Sequence, residues 1–157
     1  MGLIENLHNE RVGDLSLRQA PIVPPECTVL EAIEQMRAAH QGCAIVVDPQ
    51  GKPLGTFSER MVIELLVSQA ADLAHLRVGN LLDAQWFCVR RDDRLTKLFD
   101  AIQKQGARFL CVTDEEGHVI ALTGQKGLAE YIAEHCPQQV MVQRIGGQPG
   151  QQDREGA

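Results

Sequence analysis

The sequence predicts an α/β fold made of two pseudo-symmetric β-α-β-β-α repeats packed as one module. Three observations predict it. First, Arg11-Val12-Gly13-Asp14-Leu15 returns 66 residues later as Arg77-Val78-Gly79-Asn80-Leu81, and Val46-Val47-Asp48-Pro49-Gln50-Gly51 returns as Val112-Thr113-Asp114-Glu115-Glu116-Gly117. Without insertion or deletion, ten of the 58 aligned positions from Arg11 to Ser68 are identical, Gln19/Gln85, Val23/Val89 and Glu64/Glu130 among them. Self-similarity at a fixed period marks a duplicated supersecondary unit. Second, each copy switches between continuous apolar runs and apolar positions at helical spacing, in the same order. Third, a unit of about 60 residues buries too little surface to be comfortable alone, so the copies are expected to pack on each other.

Each copy opens with a short extended piece, Pro21 to Pro24 and Trp86 to Arg90. Pro24-Pro25 in one copy and Asp92-Asp93 in the other then turn the chain into a helix. Val29–Ala39 carries Leu30, Ile33 and Met36, and Leu95–Gln105 carries Leu95, Leu98, Phe99 and Ile102, at roughly 3.6 spacing. Gly42 and Gly106 are the expected stops beyond these helices. The runs Cys43–Val47 and Phe109–Thr113 fit strands covered on both faces. Asp-Pro-Gln-Gly and Asp-Glu-Glu-Gly are hairpin turns, with glycine free to take positive φ. A second strand (Pro53–Phe57; Val119–Thr123) and a second helix (Glu59–Ser68; Gln125–His135) complete each copy. Residues 69–76 read as a helical bridge. The division is residues 1–9 as N-terminal segment, 10–70 as first repeat, 71–136 as second repeat and 137–157 as a C-terminal tail. Gln138–Ile145 is a candidate extra strand, and the polar stretch after it is expected to be disordered.

The net charge of −6 and pI near 5.3 argue against a nucleic-acid binder, which needs a basic stripe. Aromatics make up only 4% of the chain, which makes the core aliphatic. No apolar run reaches the roughly 18 residues of a membrane span, and no signal peptide is readable at the start, so a cytoplasmic location is expected. Cys27, Cys43, Cys88, Cys111 and Cys136 are odd in number and form no Cys-x-x-Cys pair; reduced thiols are expected. The five histidines are scattered, without metal-ligand spacing, so no metal is expected.

Tandem units of this length and order, with an apolar run, Asp-x-x-Gly and a second apolar run before the last helix, resemble the cystathionine β-synthase (CBS) domain pair. Three further motifs carry the resemblance: Val12-Gly13-Asp14-Leu15, Val78-Gly79-Asn80-Leu81, and the helix start Thr28-Val29-Leu30-Glu31-Ala32. It covers about residues 10–135. The chain begins with methionine and the pair fills its length, so a stand-alone CBS protein is expected. The resemblance implies a regulatory, non-catalytic module that pairs into homodimers and holds AMP, ADP, ATP or a related adenosine compound between its repeats.

That family's binding signature lies where the last strand meets the last helix: Gly, two apolar residues, Thr or Ser, two further residues, then Asp. A hydroxyl and free N–H groups at a helix N-terminus receive phosphate, and the carboxylate accepts from the ribose diol. Here the first copy reads Gly55-Thr56-Phe57-Ser58-Glu59-Arg60-Met61, with Ser58 as the hydroxyl, Arg60 as a phosphate partner and Met61 where the aspartate belongs. The second reads Ala121-Leu122-Thr123-Gly124-Gln125-Lys126-Gly127, with Lys126 its remaining charge. Val23, Thr28 and Ala44 are candidate lining for the base. Losing the carboxylate removes about 2–4 kcal/mol, moving a micromolar site towards millimolar. Each residue has a plainer role as well: Ser58 is a good helix N-cap, and Arg60 and Lys126 are ordinary solvated helix residues. Two functions therefore stand side by side: a nucleotide sensor using the first repeat, and an interaction module with degenerate sites that binds an unidentified protein partner.

Overall fold

A computed structural model describes residues 3–69 and 72–137 of the chain. The candidate strand Gln138–Ile145 and the tail fall outside them. Helix α1 (Leu3–Asn9) leads into a short 3-10 turn, Val12–Asp14. The first repeat follows as β1 (Ile22–Val23), α2 (Val29–Ala38), β2 (Cys43–Val47), β3 (Pro53–Ser58) and α3 (Glu59–Val67). After a second 3-10 turn, Val78–Asn80, the series returns as β4 (Cys88–Arg90), α4 (Leu95–Gln105), β5 (Phe109–Thr113), β6 (Val119–Gly124) and α5 (Gln125–His135). Of the expected helical bridge 69–76, residues 73–75 form a turn instead and residues 70–71 lie outside the described residues.

Each repeat makes its own three-stranded sheet, β1-β2-β3 and β4-β5-β6, with one parallel and one antiparallel pairing. The hairpin turns close alike. Asp48 Oδ1 accepts from the Gln50 and Lys52 N–H groups at 2.9 and 2.8 Å, and Asp114 Oδ1 accepts from Glu116 and His118 at 2.9 Å each. Gly51 and Gly117 take φ of 81° and 88° in these turns. Helix α2 begins at a capping box in which Thr28 Oγ1 accepts from the Glu31 N–H and Glu31 Oε2 accepts from the Thr28 N–H. Helix α4 stops at Gly106, in the left-handed region. In the first repeat the position aligned with Gly106 is His40, which itself adopts φ of 53°; Gly42 lies two residues further on and is not the stop.

Strand alternation sorts the core. Ala44 and Val46 point to α2 and α3, and Leu110 and Val112 to α4 and α5. Cys43, Ile45, Cys111 and Leu122 project from the opposite faces and meet in one buried cluster, which joins the two sheets.

The repeats also exchange their lead-in segments. The Val12 and Gly13 N–H groups donate to Asp93 and Arg91 carbonyls in the second repeat, at 2.9 and 2.8 Å. The Val78 and Gly79 N–H groups donate to Cys27 and Pro25 carbonyls in the first, at 2.9 and 3.0 Å. Val12 is fully buried in the second repeat's core and Val78 in the first's. A Cβ on Gly13 would lie 2.8 Å from Arg91, and one on Gly79 2.7 Å from Pro25, so this approach needs glycine at both repeated positions.

Ile45, fully buried at the sheet–sheet contact, is the sharpest probe of the shared core. Ile45→Ala is expected to lower the unfolding free energy by about 2–5 kcal/mol in a urea melt. It should shift one cooperative transition; two separated transitions would mean that the repeats fold independently.

Candidate functional site

A cavity of about 610 Å³ opens between the repeats, within the roughly 300–1,000 Å³ typical of small-molecule sites. The first repeat contributes the end of β3 and the first turns of α3: Thr56, Ser58, Glu59, Arg60 and Ile63. The second contributes two segments, Asp83 to Phe87 before β4 and Gln105 to Phe109 between α4 and β5. Trp86, Phe87 and Phe109 line it, half the aromatic residues of the chain.

Four charges are arranged around these apolar walls. Asp83 is almost completely buried, its side chain 7% exposed, because its N–H donates to the Thr56 carbonyl at 2.9 Å and holds the segment against the edge of β3. Its carboxylate accepts from Arg60 Nη2 at 2.8 Å and from the Thr56 hydroxyl at 3.2 Å. Arg60 is 61% exposed and also pairs with Glu64, one helical turn on, at 2.7 Å. At the rim, Arg108 Nη2 pairs with Glu59 at 2.8 Å, and the guanidinium sits 5.5 Å from the centre of the Phe109 ring. This pair ties the N-terminus of α3 to the start of β5.

Ser58 occupies the N-cap position of α3, yet its side chain makes no capping hydrogen bond and lines the cavity. Of the residues singled out in the sequence, Ser58 and Arg60 come together here. Val23 and Ala44 are fully buried in the first repeat's core, and Met61 packs partly buried against the same core. Thr28 is spent on the α2 capping box. Lys126 lies at a different, smaller cavity.

An aromatic-walled cleft between two stacked β-α-β-β-α repeats, with a hydroxyl at the N-terminus of the last helix of one repeat, narrows the comparison with known proteins. Residues 12–68 match the CBS domain family. That stretch is a CBS domain. An uncharacterized 17.7 kDa protein of Acidianus ambivalens is 22% identical over 119 residues, covering 76% of this chain and 71% of that protein. The crystal structure of a CBS domain-containing protein of unknown function from Bacillus anthracis superposes with a TM-score of 0.72 at 14% identity, over 84% of this chain and 99% of that one. A CBS domain protein from Pyrobaculum aerophilum complexed with AMP superposes with a TM-score of 0.68 at 16% identity, over 88% and 100%. The shared fold thus spans both repeats. Among the described residues no helix is long and apolar enough to cross a membrane.

The two repeats are unequal at the corresponding positions. The positions that correspond to the 610 Å³ cavity are divided between a cavity of about 50 Å³ beside Gly124, Lys126 and Gly127 and an open groove of about 800 Å³ along residues 18–22. Arg18 lines both and makes a two-point ion pair with Glu130, at 2.6 and 2.8 Å. A Cβ on Gly124 would lie 2.1 Å from the Arg108 carbonyl oxygen, so a residue with a hydroxyl side chain cannot stand there without backbone movement.

Asp83, Trp86, Phe87, Arg108 and Phe109 escaped the sequence reading. Aligning the copies does carry a signal: these positions match Leu17, Ala20, Pro21, Gly42 and Cys43, so the second copy places charge or bulk where the first has small or aliphatic residues. They belong to the second repeat but line the cavity at the end of β3 in the first. Asp83→Asn keeps the shape and removes the charge facing Arg60. It is expected to lower stability by about 1–2 kcal/mol in a chemical melt, below the full value of a buried charged bond because Arg60 is exposed.

Proposed function

We propose that this CBS module is a non-catalytic regulator that binds an adenosine-type nucleotide, AMP, ADP or ATP, in the 610 Å³ cavity. One observation carries the reading: three aromatic side chains, two arginines, a helix-terminal hydroxyl and a buried carboxylate converge on one cleft. Flat aromatic walls suit a purine base. Arg60, Arg108, Ser58 and the first-turn N–H groups of α3 beyond Glu59, whose own N–H donates to the Gly42 carbonyl, suit phosphate. Asp83 supplies the diol acceptor that position 61 lacks. The AMP complex of the Pyrobaculum aerophilum protein supports this choice of ligand.

Regulation follows from the pairs that a nucleotide replaces. Phosphate competes with Asp83 for Arg60 and with Glu59 for Arg108, so binding frees Asp83 and exchanges a direct tie between the repeats for one through the ligand. The packing of the two repeats then depends on occupancy, and a binding partner can read it. The module is taken to act as a cytoplasmic homodimer. Ile63, Leu66 and Val67 leave an apolar face of α3 59%, 61% and 77% exposed beside the cavity, which suits a second copy. The same face favours the second reading, a protein-interaction module, with the second repeat's site degenerate in either case.

Trp86 is the single tryptophan of the chain and lines the cavity, so its emission reports occupancy directly. Titration with AMP, ADP and ATP should give a saturable change in emission and a matching rise in melting temperature. Arg108→Ala and Ser58→Ala should weaken binding, the arginine variant by about tenfold to a hundredfold for one charged contact. Unchanged emission and melting temperature at millimolar concentrations of all three would sink the sensor and leave the interaction module.

A further inference from the structure

Cys88 and Cys111 are register partners across the parallel pair β4–β5. The same two positions in the first repeat hold Ile22 and Ile45, also register partners. Packing there asks only for apolar volume, and the second repeat meets it with two thiols. Neighbouring strands run about 4.8 Å apart, and paired residues share a face, within the roughly 4.4–6.8 Å between Cα atoms that a disulfide spans.

The two differ in access. Cys88 is the exposed cysteine among the chain's five, on a strand of three residues at the edge of its sheet; Cys111 is fully buried in the sheet–sheet core. The Cys111 thiol, by hydrogen bonding to Cys88, holds the Cys88 thiol down to about 7 against the opposing effect of burial, helped by the Thr113 hydroxyl and Lys97 and opposed by Asp93. Cys111, the partner that keeps its proton, is pushed up by the same contact. Cys43, also in the core cluster, is pushed up to about 12 by burial, which leaves it inert. Among the described residues no group of three or more His, Cys, Asp or Glu could hold a metal ion.

We propose that Cys88 and Cys111 form a hydroperoxide-reactive thiol pair that closes into an intramolecular disulfide. The Cys88 thiolate attacks one oxygen of the hydroperoxide. The O–O bond breaks, the alcohol or water leaves with a proton, and Cys88 becomes a sulfenic acid, its sulfur oxidised by two electrons. The negative charge that raised the Cys111 thiol is then gone. Cys111 attacks the Cys88 sulfur, the S–S bond forms as the S–O bond breaks, and the departing hydroxide takes the Cys111 proton as water. Two thiols and one hydroperoxide give one disulfide, one alcohol and one water.

The test treats the full chain with a small excess of hydrogen peroxide, then counts thiols after denaturation. The five thiols should fall to three and return to five with dithiothreitol. Trypsin should release residues 78–90 linked to residues 109–126, each peptide carrying one cysteine. Cys88→Ser should keep all its remaining thiols, and Cys111→Ala should leave Cys88 as a sulfenic acid that dimedone traps. Peptide mapping of the unsubstituted chain decides the matter even if the Cys111 variant does not fold. A link through Cys43, a link between Cys88 residues of two chains, loss of thiols persisting in Cys88→Ser, or five thiols surviving the peroxide would each overturn the proposal.

Discussion

The contact between the two sheets, made by Cys43, Ile45, Cys111 and Leu122, is the constraint on which the other features depend. It is small and dry, and it uses the faces that strand alternation leaves over once Ala44, Val46, Leu110 and Val112 have turned to their own helices. By fixing one sheet against the other it sets the gap in which the cavity lies. The width of that gap follows from side chains rather than backbone, since both sheets have the same strand order and the same register irregularity, at Val46/Val47 and at Val112/Thr113.

Given nearly identical backbones, the inequality of the two sites is a matter of substitution. On one side the segment before β4 brings Asp83, Trp86 and Phe87, and Arg108 reaches the rim. On the other, Arg18 pairs with Glu130. Glu64 and Glu130 are identical between the copies and each binds an arginine, but Arg60 comes from the same helix as its partner and Arg18 from the other repeat. The first arrangement leaves one cavity above the helix terminus; in the second the space is divided between a small cavity and an open groove. Duplication followed by specialisation of one site is the simplest physical history of such a pair.

The duplication, the element order within each repeat, both hairpin turns and the two helices of each repeat were legible because they rest on local rules, apolar periodicity and Asp and Gly at turns; helix α1 was not. Of the candidate site, Ser58 was legible because a motif names it, and Arg60 because it is a cation two residues on, at the start of the same helix. Asp83 was not, since the motif looks for a carboxylate at position 61 and this one arrives from a segment 22 residues later that pairs with the edge of β3. Val23, Thr28 and Ala44 carry the right chemical character for a pocket wall. Local sequence cannot say that two of them face a helix and the third caps one. His40 shows the same limit on a smaller scale: it adopts a left-handed conformation that glycine usually holds, because the copies differ at that position while the backbone does not.

The exchange of lead-in segments means that the unit repeated in the sequence is not the unit that closes in space. Val12 completes the core of the second repeat and Val78 that of the first. A chain holding one copy has nowhere on itself to put its Val-Gly segment and reaches a closed core only by trading that segment with another chain. Joining two copies end to end turns this trade intramolecular, at an effective concentration fixed by the short connection and independent of how much protein is present. Gene fusion, in this architecture, replaces assembly with folding.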